Sequence, residues 1–435
     1  MKTSFTYLFA TLILFVTSCS SEYDYSINTD PSNAKFITLR TNIQGTKIGL
    51  NQNIVLSLFE DENNIDLTEA STFYVNDEAI FGNEYSFQEI GTYTIYGSVN
   101  NINSNPISIE VVDKNYIVIS ESKVLKNQEV TFQLFSENGE DLTNSSSFIV
   151  NGNAISGNIF SSEIDDTYSV SVGDSNVNSE SFTVFTPKRK VAIEDYTGTW
   201  CGWCPRVLLV IDKAEEVSDD LVVLAIHNND EMQFEQEEAI RDAFNVGNSL
   251  PKLFVNRTQN IVVSQDVDIQ PAVDYISSLA GTEVEQSIAI QTKLNGTDLR
   301  VEVDLLSSIN IPSNHKLAVY LYQDKLIYDQ TNYYVEVSGH PLSELGNPIP
   351  NYEHNHVLEA SLTDNVLGRE LSNSVEPFKT HNEVIGTIDL NNYAHTDNGN
   401  SFDVSNFGIA VFLVDENNNA VNAQSVKAGE NIGFE

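Results

Sequence analysis

Part of the N-terminal half of this chain is written twice, and that duplication restricts the fold more than any other feature. Asn51-Gln52 recurs as Asn127-Gln128, Leu58-Phe59 as Leu134-Phe135, and Asp66-Leu67-Thr68 as Asp141-Leu142-Thr143. Phe73-Tyr74-Val75-Asn76 returns as Phe148-Ile149-Val150-Asn151, and Ala79-Ile80, Gly82-Asn83 and Tyr93 return at Ala154-Ile155, Gly157-Asn158 and Tyr168. The offset drifts only from 76 to 75 residues, so the unit is a duplicated domain and not a short solenoid repeat.

Each copy holds short alternating runs, such as Ile54–Leu58 and Tyr93–Tyr96, cut by Asn, Asp and Gly turns. Units of this size and pattern predict small antiparallel sandwiches over residues 33–113 and 114–186. They resemble the bacterial immunoglobulin-like modules of cell-surface proteins. No Trp cluster or metal-ligand run marks either copy, and both read as spacers.

At Thr186-Pro187-Lys188-Arg189-Lys190 the pattern changes. Lys190–Tyr196 reads as an apolar strand, Pro205–Glu216 as a helix, Leu221–Ile226 as a buried strand and Glu235–Phe244 as a second helix. Lys252–Asn256 and Asn260–Ser264 pair as a hairpin, and Ile269–Leu279 is a final helix. This order predicts a mixed sheet covered on both faces over residues 187–282.

Trp200-Cys201-Gly202-Trp203-Cys204-Pro205 falls where the first of these strands hands over to a helix. First-turn N–H groups and the helix dipole favour a thiolate there, and a thiol of ordinary pKa near 8.5 can fall to about 3.5–7.5 in such a place. Cys201 would face solvent and attack; Cys204, one turn inside, would resolve the mixed disulfide. Pro205 is tolerated because first-turn N–H groups lack intrahelical acceptors. Haem attachment would need His after the second cysteine, and a zinc site would need further ligands that no second CxxC supplies. A purely structural disulfide stays open as the alternative, although a two-residue loop contributes little entropic stabilisation.

Pro251 lies between the second helix and the hairpin. Strand, CxxC at a helix start and a proline loop before a hairpin together resemble the thioredoxin superfamily. By that resemblance Leu250–Pro251 would be cis and the Leu250 backbone would pair with a substrate strand. Asp195, six residues before Cys201, matches the place of a partly buried acid in that superfamily and could shuttle the Cys204 proton through water. Its side-chain parity with Val191 and Ile193 favours it over Glu194 as the inward group. His227 reads as a strand-end surface residue. Trp203 reads as an exposed apolar contact for partner proteins. More specifically, Glu194-Asp195-Tyr196-Thr197-Gly198-Thr199 and the CGWCP that follows resemble the twenty-eight-kilodalton outer-membrane-protein family, over roughly Lys188 to the C-terminus. The resemblance implies a lipid-anchored protein with a β-rich C-terminal extension.

Residues 283–435 return to strands, with Asn295-Gly296 between alternating runs as a hairpin turn. They predict a sandwich-like domain. His354-Asn355-His356, if extended, would project both imidazoles to one face, where they could hold a metal, but a structural or surface pair is the preferred reading.

Met1–Ser18 reads as an export signal, with Lys2 before the apolar Phe5–Val16 run. Val16-Thr17-Ser18-Cys19 resembles a bacterial lipobox, which makes Cys19 the lipidation site. Ser20 resembles the sorting residue of outer-membrane lipoproteins, and residues 19–32 form a polar tether. An ordinary cleaved signal is the alternative. With 22 Lys plus Arg against 62 Asp plus Glu, the formal charge is −40. Such a surface repels phosphate backbones and excludes nucleic acid as a partner.

The expectation is therefore a multidomain chain, α/β plus all-β, with a thioredoxin-like domain between tandem immunoglobulin-like sandwiches and a C-terminal β-sandwich-like domain. Its function would be thiol–disulfide exchange with protein thiols or disulfides of the cell envelope, at the outer membrane, through Cys201 and Cys204. Asp195 would assist, and Trp203, Leu250 and Pro251 would contact the partner. The reaction needs no cofactor and no metal. The competing expectation is a surface-binding or assembly lipoprotein with an inert disulfide.

Overall fold

The computed structural model describes residues 34–174, 176–263 and 268–435. Cys19, the export signal and the whole of the tether lie outside the described residues. The duplicated units are two successive β-sandwiches. In the first, Ile37–Thr41, Asn53–Glu60 and Glu84–Ser86 face a six-stranded sheet that includes Thr72–Val75, Gly91–Val99 and Ile107–Val112. Alternation along Asn53–Glu60 buries Ile54, Leu56 and Leu58 against Phe73, Ile95 and Ile109. The second copy repeats this with Val130, Phe132, Phe148, Val170 and Phe182.

The repeated polar residues hold the same turns in both copies. The Oγ1 of Thr68 accepts from Leu58 N–H at 3.0 Å, and that of Thr143 accepts from Leu134 N–H at 3.0 Å. Asn76 and Asn151 adopt φ of 49° and 46°, and their side chains accept from Thr94 N–H and Ser169 N–H. Asparagine recurs there because it tolerates the left-handed region and its short amide reaches a backbone N–H of the paired strand.

Beyond residue 187 the elements fall close to their predicted places. Strand Val191–Thr197 leads through the CGWC loop to helix α1 (Pro205–Glu215); strand Leu221–His227, helix α2 (Glu237–Ala243), the hairpin Lys252–Val255/Gln259–Ile261 and helix α3 (Gln270–Leu279) follow.

They do not form the expected thioredoxin-like domain set between separate β domains, and that fold class is corrected. Among the described residues strand accounts for 44% and helix for 11%, with three α-helices. The four strands are one side of a nine-stranded sheet that continues through Val357–Ser361, Lys316–Gln323, Phe407–Val414 and Ala420–Lys427, with the short Arg369–Glu370 paired beside Lys316–Gln323. The seam is the parallel bridge Ala225↔Val357, with Ala225 N–H donating to His356 O at 2.8 Å. One apolar core spans it: Ala192, Tyr196, Leu224 and Ile226 pack with Tyr320, Leu358, Ala410 and Phe412. The order of strands and helices along the chain was readable, but an exposed strand edge satisfies its N–H and C=O groups by pairing with whatever strand arrives. Here a strand from residue 357 onward does so.

On the opposite face α1 and α3 cover Val191, Ile193, Val223, Leu253 and Val255. The Gln286–Asn295/Asp298–Ser307 hairpin, closed at Asn295↔Asp298, joins His381–Asp389 in a separate three-stranded sheet that packs on the far half of the large one.

Candidate functional site

The CGWC loop leaves the C-terminal end of the central strand Val191–Thr197. Gly198 O accepts from Cys201 N–H at 2.9 Å, and Cys201 O accepts from Cys204 N–H at 3.0 Å, so the loop tightens directly into α1. Cys204 is the N-cap and Pro205 opens the helix. The two cysteines are joined as a disulfide with their Cα atoms 5.4 Å apart. Antiparallel register pairs Tyr196 with Lys252, which sets Pro251 alongside Thr197; the Leu250–Pro251 peptide is cis. The fold therefore brings Cys201, Cys204, Leu250 and Pro251 to one end of the sheet.

Burial departs from expectation at both apolar ends of the motif. Cys201, expected to face solvent, is 4% exposed, and Cys204 is wholly buried. Trp203, expected to project as a partner contact, is half-buried, with its ring edge-to-face on Tyr333 and Tyr334 at centroid distances of 5.5 and 5.1 Å. The exposed tryptophan is Trp200, whose Nε1 donates to Asn228 O at 2.6 Å. A segment more than 120 residues downstream covers the motif, and nothing in the local sequence announces it.

Asp195 lies between Ala225 and Leu253 in the sheet register, under α1. It is 0% exposed, and neither carboxyl oxygen has a hydrogen-bond partner among the described residues. Burial pushes its pKa from 3.8 up to about 8. Glu194 lies on the other face and is also buried, paired with Arg257, so parity did not single out one inward acid.

The raised Asp195 pKa fixes a pH dependence. The unfolded carboxyl ionises near 3.8 and the folded one near 8, so within that window folding takes up a proton and stability falls as pH rises. Asp195→Asn should therefore leave stability nearly unchanged at about pH 4 and raise it by several kcal/mol at about pH 9, at about 1.4 kcal/mol per unit of displacement. Urea midpoints of both proteins at the two pH values check this. Parallel pH profiles would refute it.

His227 is buried, not on the surface. Its Nδ1 pairs with Asp230 Oδ2 at 2.8 Å, and the same oxygen accepts from Thr199 N–H at 2.8 Å, so Asp230 ties the base of the CGWC loop to the neighbouring strand. Burial works to raise the Asp230 pKa, but the His227 contact and the N–H donors outweigh it and hold it below the ordinary carboxylate value. Sequence reasoning missed Asp230, whose only local signal was the turn-forming Asn228-Asn229-Asp230.

His354 and His356 do not share a strand face. His354 ends the Ile349–His354 strand, with its ring 5.3 Å from that of His227. Burial drives its pKa down to about 3, so it is neutral. His356 turns away with φ of 57°, and its Nε2 meets Glu215 at 3.2 Å. Both border a small cavity of ≈ 60 Å³ with Thr197, Asp212 and Tyr352. Among the described residues no group of three or more His, Cys, Asp or Glu side chains is arranged to hold a metal ion, and no helix is long and apolar enough to cross a membrane.

Residues 237–432 match the model of a protein family described as outer membrane protein Omp28. The match begins at α2, so the CGWC motif lies before it. The similarity of this part of the chain is thus to outer membrane proteins.

No curated protein matches the chain. Among solved structures, HBP35 of Porphyromonas gingivalis is 16% identical over 56% of this chain and 76% of its own, with a TM-score of 0.43. Domains 5-6 of the S-layer protein SbsC are 17% identical, covering 34% of this chain and 96% of that one, with a TM-score of 0.17. SGBP-B of the Bacteroides ovatus mixed-linkage glucan utilization locus is 8% identical over 92% and 76%, with a TM-score of 0.22.

Proposed function

We propose that the protein performs thiol–disulfide exchange on protein thiols or disulfides of the cell envelope, through Cys201 and Cys204, while a lipid on Cys19 holds it to the outer membrane. The observation that carries this reading is a two-residue-spaced cysteine pair, already joined, at the opening of an eleven-residue helix on the end of a central strand. Free first-turn N–H groups and the helix dipole lower the free energy of a thiolate leaving group there, which makes the disulfide exchangeable. Asp195 is the nearest buried acid along the entering strand, and its proton, retained to about pH 8, is available to the cysteine that leaves. Leu250 and Pro251 offer backbone to a partner strand at the same sheet end, and Trp203, packed on Tyr333 and Tyr334, presents an apolar surface only where those rings give way.

A second reading has its own support. The 4% exposure of Cys201 fits an inert disulfide in a surface-binding or assembly lipoprotein. The purified chain distinguishes the two: equilibration with glutathione buffers and catalysis of insulin reduction are expected from the first reading. A couple that stays oxidised across the glutathione range, with no insulin reduction, selects the second. Labelling with radioactive palmitate in a bacterial host, lost on Cys19→Ala, tests the anchor.

A further inference from the structure

The segment Gln330–Tyr334, at the end of strand Leu326–Gln330, lies across the CGWC loop. Thr331 N–H donates to Thr199 O at 2.8 Å and Tyr333 N–H to Gly202 O at 2.9 Å. The buried Gln330 side chain donates from Nε2 toward the carbonyls of Gly198, Thr199 and Cys201 at 3.2–3.3 Å. The Tyr333 ring fills the space beside Gly202 so fully that a Cβ at 202 would lie 2.4 Å from it. On the helix side Arg206 Nη1 donates to the Tyr334 hydroxyl at 3.2 Å. The segment is held from behind by Asn332, whose Nδ2 donates to Leu342 O and Gly346 O.

Thr331, just past the strand, and Tyr333, which opens the 3-10 turn Tyr333–Glu336, each donate a backbone N–H to a loop carbonyl, so main-chain as well as side-chain bonds seat this segment on the loop. Glycine at 202 is what lets an aromatic side chain follow that backbone down onto the motif. We infer that Gln330–Tyr334 is an intramolecular occupant of the surface through which the cysteine pair meets another protein, and that Tyr333 sets which partners gain access. This inference rests on the redox reading above. The partner it fits is an extended cysteine-bearing segment that can displace the strap and take up the freed carbonyls of Thr199 and Gly202; a folded protein surface cannot reach Cys201 while the strap is seated.

The chemistry requires that access. A partner thiolate attacks Cys201 Sγ, a partner–Cys201 disulfide forms, the Cys201–Cys204 bond breaks, and Cys204 leaves as a thiolate that takes a proton. A second partner thiolate then attacks the partner sulfur of the mixed disulfide and expels Cys201. The partner dithiol is oxidised to a disulfide and the pair is reduced by two electrons.

The test uses the full chain, oxidised, with reduction followed by the fluorescence of the two tryptophans that flank Cys201. The probes are dithiothreitol and a short unstructured peptide dithiol. Tyr333→Ala is expected to speed reduction by the peptide about tenfold or more relative to dithiothreitol, because the closed state loses part of its preference. Tyr333→Phe, which keeps the ring, should retain the wild-type ratio. Gly202→Ala pushes on the strap from the loop side and should act like Tyr333→Ala; it serves if that variant does not fold. Equal peptide-to-dithiothreitol ratios in wild type, Tyr333→Ala and Gly202→Ala would overturn the gating role and leave the redox reading standing. A disulfide that resists dithiothreitol in every protein would overturn both.

Discussion

Cys204→Ser is expected to turn the protein into a trap, accumulating mixed disulfides through Cys201 that dissolve in dithiothreitol, while Cys201→Ser accumulates none. Cys204 is the wholly buried member of the pair and begins α1; its sulfur is placed to attack back on a bond made at Cys201. Serine cannot expel the partner, so the intermediate persists. Both single variants should lose insulin reduction to background, since neither can form the internal disulfide. Non-reducing gels of envelope extracts, probed for the tagged protein, report the trapped species. Equal patterns for the two variants would refute the division of labour between the cysteines. The trap is expected to fill slowly in the otherwise unaltered chain and faster when Tyr333→Ala is added, which ties it to the strap.

Arg257→Met is expected to destabilise the protein by about 3–5 kcal/mol, the usual consequence of orphaning a buried charge. Arg257 is wholly buried with φ of 57°, directly after the hairpin strand. Its Nε and Nη2 donate to Glu194 Oε1 at 2.9 and 2.7 Å, and Nη2 also donates to the Tyr320 hydroxyl. Its guanidinium also lies over the rings of Phe244 and Phe412. Burial opposes the charge, but Glu194 and Tyr320 outweigh it and raise the pKa above the ordinary arginine value. Glu194 comes from the central strand and Tyr320 from the C-terminal strands, so the cluster pins the two parts of the nine-stranded sheet together.

Removing the arginine leaves the Glu194 charge without a counter-ion in an apolar layer. Adding Glu194→Gln should recover part of the loss, because the double variant buries no charge. Urea midpoints of the wild type, both single variants and the double variant measure this. A loss in the double variant equal to the sum of the singles would show that the pair is not coupled.

Much of the local architecture is legible from residue order alone. The duplication predicted two like sandwiches because the same Asp-Leu-Thr and Asn turns must close the same strands twice. The CGWCP motif announced its place at a strand-to-helix junction through Pro205 and the apolar run before it. Parity put Glu194 and Asp195 on opposite faces of the strand, since successive side chains alternate, but it could not say that both faces are covered. His354 and His356 would have shared a face only in an extended strand, and they do not, because His356 takes a positive φ and the two rings part company at a turn. The expected separate α/β domain failed because the sequence of strands does not say which edges meet.

The sequence by itself therefore determined the duplicated sandwiches, the position of the cysteine pair and the strongly acidic surface, since these depend on neighbours along the chain. Only the tertiary structure decided that Val357 extends the central sheet, that Arg257 joins Glu194 to Tyr320, and that Tyr333 lies on Gly202. Each of those brings together groups more than 60 residues apart, and the free energy that selects them comes from burying shared apolar surface and satisfying open strand edges. Neither term is written in any local run of residues.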